Sequence, residues 1–256
     1  MATFSANLGF LWRELPLPDA IRAARRAGFD AVECHFPYEV STEDVRAALS
    51  ETGLAMLGIN TIRGREAAGD NGLAAIPERQ EEARAAIRQA VDYAAAIGAA
   101  NVHVMAGKAE GEAARRTFVE NLLYATELAR PHGITILIEP LNHYDAPDYF
   151  LTTSAQAAEI IDAVGATNLK LMFDCYHIQI MEGDLTRRIE ALMPVIGHIQ
   201  IAAVPDRGEP DHGEVDYRHI VHSLDAMGYG RPLGAEYRPA AGTDASLGWM
   251  TVLKSG

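Results

Sequence analysis

The strongest constraint on this chain is a rhythm in which short apolar, β-branched runs alternate with amphipathic segments from one end to the other. The runs are Phe4 to Gly9, Ala31 to Cys34, Leu54 to Asn60, Asn101 to Met105, Ile134 to Glu139, Leu169 to Asp174, Ile196 to Ile201 and Pro232 to Glu236. Runs of this kind, flat in hydropathy rather than alternating, belong to parallel strands covered on both faces. Eight of them separated by helical segments within 256 residues predict an α/β fold, a single (β/α)8 TIM barrel over residues 1–256. An open doubly wound sheet is the alternative, but the first strand is not followed by the Gly-rich phosphate turn that such sheets use for nucleotides. No nucleotide cofactor is expected.

The helical segments carry their own punctuation. Gly28, Gly53 and Gly98 stand where C′ glycines end helices, and Ser41 or Thr42 is placed to cap a helix over 42–52. The longest helix is predicted from Pro77 to Ile97, with Ala83, Ile87, Ala90, Val91 and Ala94 on one face. Further helices are expected over 118–130, 154–164 with Ser154 as cap, 185–193 and 217–227. The one long irregular connection, residues 61–76, reads either as a lid over a site or as a solvated loop.

Charge narrows the function. With 35 acidic against 22 basic residues, the net charge of -13 repels a phosphate backbone, so no nucleic-acid partner is expected and a small molecule is. Cys34 and Cys175 are the two cysteines and form no zinc-ligand spacing. The start lacks the basic and apolar regions of a signal peptide, and no apolar run reaches bilayer length, so a cytoplasmic protein without a membrane partner is expected.

In a barrel of this kind the C-terminal ends of the strands form the active face. Strands five to eight each bring an oxygen-bearing side chain there: Glu139, Asp174, Gln200 and Glu236. Any one of them alone reads as a solvated or capping group. Together, three carboxylates in a partly dry pocket repel one another unless a cation neutralises them. An all-oxygen set of this kind suits Mg2+ or Mn2+ better than zinc or copper.

The motifs Ile138-Glu139-Pro140-Leu141-Asn142, Phe173-Asp174-Cys175-Tyr176-His177, Gly197-His198-Ile199-Gln200-Ile201-Ala202, Gly234-Ala235-Glu236-Tyr237 and the stretch from Arg207 to Asp216 resemble those of hydroxypyruvate isomerases, within the xylose-isomerase-like TIM barrels. The resemblance spans essentially the whole chain. It implies a divalent metal held by Glu139, Asp174, Gln200 and Glu236, with Glu139 and Glu236 as the acid/base pair. The expected reaction interconverts hydroxypyruvate and tartronate semialdehyde; an isomerase of a four-carbon keto acid or a ketose 3-epimerase would use the same residues. Related 3-epimerases have histidine at the Gln200 position, which favours the first branch. An endonuclease IV-like repair enzyme would need a histidine-rich zinc site, and a silent barrel would have lost a ligand.

Four further residues are candidates for substrate contacts. His177 follows Asp174 closely enough to contact a substrate oxygen or to orient a ligand, or to sit hydrogen-bonded in the rim. Arg207 offers a partner for a substrate carboxylate, or a surface ion pair with Glu209 or Asp211. His103 points into the barrel as a ligand-facing or core histidine, and Lys108 stands just past Gly107 as a carboxylate partner or a solvated lysine. Glu33 and His35 remain without a role, and the Phe10 and Trp12 region offers ordinary core by default, or else an apolar wall or a homo-oligomer contact.

Overall fold

The computed structural model describes residues 2–254. Its strands are β1 (Phe4–Asn7), β2 (Ala31–Glu33), β3 (Ala55–Met56), β4 (Gly58–Asn60), β5 (Asn101–His103), β6 (Thr135–Ile138), β7 (Leu169–Asp174), β8 (Ile196–Ile201) and β9 (Leu233–Ala235). They form one sheet in the order β3-β2-β1-β9-β8-β7-β6-β5-β4, parallel throughout. The two ends of that order, β3 and β4, are consecutive in the chain, so the sheet closes into a barrel of eight strands whose third is divided at Leu57. Leu57 serves both neighbours: its N–H donates to the Val32 carbonyl and its own carbonyl accepts from Asn101 Nδ2. The last strand meets the first in register, Phe4 against Leu233 and Ala6 against Ala235.

The helices α1 (Leu17–Arg26), α2 (Thr42–Thr52), α3 (Gln80–Ile97), α4 (Gly111–Ala129), α5 (Ser154–Val164), α6 (Cys175–Met181), α7 (Leu185–Leu192), α8 (Tyr217–Ala226) and α9 (Gly248–Lys254) surround the sheet. Their boundaries differ from the sequence expectation where side chains outrank propensity. α4 contains the expected helical stretch from Phe118 and extends it back to Gly111, where Ala114 and Thr117 are already buried in its packed face. Thr153, not Ser154, caps α5: its hydroxyl accepts from the Gln156 N–H at 3.2 Å, while the Ser154 N–H donates to Glu182. Pro77–Arg79 forms a separate 3₁₀ turn ahead of α3. α6 and α9 had no expected counterpart. α6 begins directly from β7 because Asp174 turns its carboxylate onto the Tyr176 N–H at 2.9 Å, an N-cap inside a strand end.

α9 closes the outer layer over the first strand. Trp249 is fully buried, edge-on to Phe4 at 4.9 Å and to Tyr237 at 6.0 Å, and its indole N–H donates to the Tyr237 hydroxyl. No helix among the described residues is long and apolar enough to cross a membrane.

Loop 61–76 is folded down over the barrel mouth. Gly72 bridges to Ala106 and holds a φ of 106°, and a Cβ there would lie 2.6 Å from the Met105 carbonyl oxygen, so only glycine permits this approach. Asp70 ties the other arm, accepting from the Arg65 N–H and pairing with Arg79 at 2.7 Å. Trp249→Ala is expected to cost about 3–5 kcal/mol, as for other large aromatic truncations in a core; urea unfolding followed by circular dichroism measures it.

Candidate active site

A cavity of about 850 Å³ opens at the C-terminal ends of the strands. Its floor includes His103, Glu139, His177, Arg207 and Glu236, and loop 61–76 contributes Arg63, Glu66, Asp70 and Asn71 to its wall. Leu8, Phe10 and Phe36 make an apolar side. Lys108 is exposed at the mouth, and Trp12 is buried against Phe29, with its indole N–H donating to Asp244.

Register sets the four strand-end groups at the same end of the barrel. Asp174 and Gln200 face each other as partners on β7 and β8, Gln200 is opposite Gly234 on β9, and Glu139 and Glu236 each follow the last residue of β6 and β9. All four are buried. Glu139 Oε1, Asp174 Oδ2 and Gln200 Oε1 are buried without any hydrogen-bond partner. A buried acceptor left unpaired is costly, and three on neighbouring strand ends are what a hard cation would satisfy. The residues therefore fit an oxygen-ligated divalent ion.

Glu236 differs from the other three. Its Oε1 accepts from Asn7 Nδ2 at 2.8 Å and lies 2.9 Å from His35 Nε2, and its Oε2 accepts from Arg207 at 2.7 Å. Arg207 is turned inward rather than toward Glu209 or Asp211. Its guanidinium reaches Glu236, Asp145 at 3.1 Å and Asp174 at 3.6 Å, and it lies between the rings of Phe10 and Tyr176 at 4.8 and 4.9 Å. The backbone at Arg207 is left-handed, with φ 57°, and is held there by bonds from its N–H to Ala203 and from the Arg238 N–H to its carbonyl.

The electrostatics follow this division. Burial, reinforced by Glu236 and Asp174, holds the Glu139 carboxyl well above the usual range. Burial pushes Asp174 up to about 8 despite Arg207. For Glu236 burial opposes ionisation, but Arg207 and the His35 contact outweigh it and hold the group below the ordinary carboxylate range. Burial lowers His103 to about 3, so that imidazole is neutral.

Glu139, Asp174 and His177 also bring ligand atoms within 4.8 Å of one another. The hydrogen bonds argue against the imidazole as a ligand. His177 Nδ1 accepts from the Asn142 backbone N–H at 3.0 Å, which places the ring proton of the neutral side chain on Nε2. Burial and Arg207 keep His177 neutral. Its Nε2 faces Asp174 Oδ2 at 3.6 Å and presents a donor, not a lone pair.

Several site residues were given no role by sequence reasoning. Asn7 and Glu33 are the last residues of β1 and β2, so the strand-end rule applied to the later strands reaches them as well. His35, Asn142 and Asp145 lie in short connections and have no such signal.

Comparisons with known proteins bear out the fold. The family model for the xylose isomerase-like TIM barrel matches residues 21–253. The chain belongs to the xylose isomerase-like TIM barrel family. Within it, the chain groups with isomerases of the hydroxypyruvate isomerase type. It is 45% identical to a 2-oxo-tetronate isomerase of Cupriavidus necator and 39% identical to a hydroxypyruvate isomerase of Escherichia coli, in both cases over 98% of each chain. A crystal structure from Brucella melitensis, described as an AP endonuclease of family 2, superposes with a TM-score of 0.94 at 39% identity, covering 98% of this chain and 99% of that one.

One feature of the rim is open to direct measurement. Hydrogen bonds to Asp206 and Asp211, each 2.9 Å away, raise His212 to about 8 from its ordinary 6.5. A raised histidine favours the folded loop fully below about pH 6.5 and loses that contribution as pH rises through about 8. His212 ring resonances in NMR are expected to titrate near 8 and to return toward 6.5 in Asp206→Asn.

Proposed function

We propose that the protein is a metal-dependent isomerase of small hydroxy-keto acids, interconverting hydroxypyruvate and tartronate semialdehyde. The observation that carries the reading is the set of three unpartnered buried oxygens, on Glu139, Asp174 and Gln200, at the same end of the barrel as Glu236. Glu139, Asp174, Gln200 and Glu236 would hold Mg2+ or Mn2+, which when bound acts as a Lewis acid toward substrate oxygens.

The reaction moves a carbonyl by one carbon. A proton leaves C3 of hydroxypyruvate and one arrives at C2, while the hydroxyl proton passes from O3 to O2, with no net change in oxidation state and no redox cofactor. Glu139 and Glu236 are the two carboxyl groups able to accept the first and supply the second. The environment distinguishes them: Arg207, Asn7 and His35 fix Glu236 at both oxygens, whereas Glu139 Oε1 is free of hydrogen bonds.

The remaining candidates orient the substrate. His177 donates from Nε2 toward an oxygen beside Asp174, its tautomer set by Asn142. His103 lines the cavity with its Nδ1 3.6 Å from Glu139. Lys108, exposed at the mouth, is placed to attract a carboxylate from solvent, and Arg207 adds positive charge deeper in. A small-molecule acid is the partner this arrangement fits. A cytoplasmic setting agrees with the same reading.

A second reading, isomerisation of a four-carbon 2-oxo-tetronate-type acid, is favoured by the cavity, whose 850 Å³ leaves room beyond three carbons, and by the 45% identity to the Cupriavidus necator relative. Metal-reconstituted protein incubated in deuterium oxide with hydroxypyruvate, four-carbon keto acids and ketoses separates the readings. Deuterium is expected to enter the keto acids at the two carbons between which the carbonyl moves; label entering only a ketose at C3 would make the protein an epimerase. Glu139→Gln and Glu236→Gln are each expected to lower turnover by at least about 100-fold with an unchanged circular dichroism spectrum, and near-normal turnover in either would remove the two-glutamate mechanism.

A further inference from the structure

Beneath the proposed metal ligands lies a second set of buried polar groups that take no part in the chemistry described so far. Glu33, at the end of β2, is buried on the far side of the barrel from β8. Its Oε1 accepts from Gln200 Nε2 at 3.2 Å and from Asn7 Nδ2 at 3.3 Å, and its Oε2 lies 2.6 Å from His198 Nε2. Asn7 uses its other amide hydrogen on Glu236 Oε1, and its carbonyl oxygen accepts from the Gly9 N–H. One carboxylate is thus tied to two of the four proposed ligands.

We infer that Glu33 is a positioning residue that fixes the side-chain amide of Gln200 with its oxygen toward the metal site. An amide can sit either way round, and the two ends differ in chemistry. With Nε2 on Glu33, the amide leaves Oε1 unpartnered, buried and available to a cation. Reversed, it would set its oxygen against the Glu33 carboxylate and its hydrogens against the ion. A carboxylate that only accepts therefore selects one orientation. A glutamine needs this selection because it carries donor and acceptor on the same group, and Glu33 supplies it from across the barrel.

The sheet is built around the contact. Gly234 on β9 is the register partner of Gln200, and a Cβ there would lie 2.8 Å from Gln200 Cγ, 2.8 Å from His198 Nε2 and 2.5 Å from Glu33 Oε1. The missing side chain is the space in which Glu33, His198 and Gln200 meet. The φ of Gly234 is not in the left-handed region, so the glycine is required for space alone.

This inference rests on the ligand assignment proposed above, and the test separates the two. Mn2+ is titrated into the full-length protein after removal of metal, with free ion followed by electron paramagnetic resonance, for the parent, Glu139→Gln, Glu33→Asp, Glu33→Gln, Gln200→Ala and the Glu33→Asp/Gln200→Ala double variant. Glu33→Asp keeps the charge but withdraws the carboxylate by one methylene, and is expected to weaken Mn2+ binding about 10–100-fold, the range for groups that orient a ligand. Glu33→Gln keeps the length but offers an NH2 as well as a carbonyl, so it no longer selects the Gln200 orientation and is expected to weaken Mn2+ binding by a similar factor, about 10–100-fold. In the Gln200→Ala background the Glu33→Asp loss should shrink to about threefold or less, because the effect travels through Gln200. Parent-like binding in Glu33→Asp or in Glu33→Gln, or equal losses for Glu33→Asp in both backgrounds, would overturn the role of Glu33. A parent that fails to bind Mn2+, or a Glu139→Gln variant that binds as the parent does, would instead overturn the ligand assignment.

Discussion

Crowding of negative charge at one dry end of the barrel is the condition to which the rest of the site answers. Glu139, Asp174 and Glu236 are all buried, and in a low-dielectric pocket three carboxylates raise one another's energy steeply. Arg207 is the cation the protein itself provides, buried between two aromatic rings and within 3.6 Å of two of the three. Its left-handed backbone and its inward guanidinium are two aspects of one arrangement: the loop after β8 accepts a strained residue so that a charge can be delivered to the floor. Arg207 pairs closely with Glu236 and leaves oxygens of Glu139 and Asp174 unpartnered, which is why the site retains an appetite for a second cation.

Division of labour around the barrel follows from the parallel sheet. The later strands, β6 to β9, present the oxygens, while β1 and β2 present the groups that hold them, Asn7 and Glu33. Side chains at equivalent heights on neighbouring strands meet across the interior because the register is parallel and the ring is closed. His35 adds a contact to Glu236, and the Asn142 bond to Nδ1 sets which nitrogen of His177 the cavity sees.

Much of the fold was legible because apolar runs of strand length and glycine stops recur with a regular spacing. β7 and β8 coincide with the runs read from sequence, and Gly53 and Gly98 end α2 and α3 in the left-handed conformation expected of them. The division of the third strand was not legible, since residues 54–60 are uniformly strand-like and the break at Leu57 arises from having to pair with two neighbours at once. α6 was hidden because its cap, Asp174, is also the end of a strand, and α9 because a short helix next to glycines has no clear periodicity. At the site, strand-end carboxylates could be read one by one from sequence. The direction of Arg207 could not, because it depends on a backbone conformation that no residue type there announces. The partnership of Glu33 with Gln200 was equally hidden, as it joins residues 167 positions apart.

The seam between β1 and β9 makes the site a property of the closed ring. Asn7 and Glu236, 229 positions apart, touch only where the first strand lies against the last. Parting that seam would separate Glu236 from Asn7 and admit water beside the buried carboxylates, so the two ends of the chain latch the pocket they share.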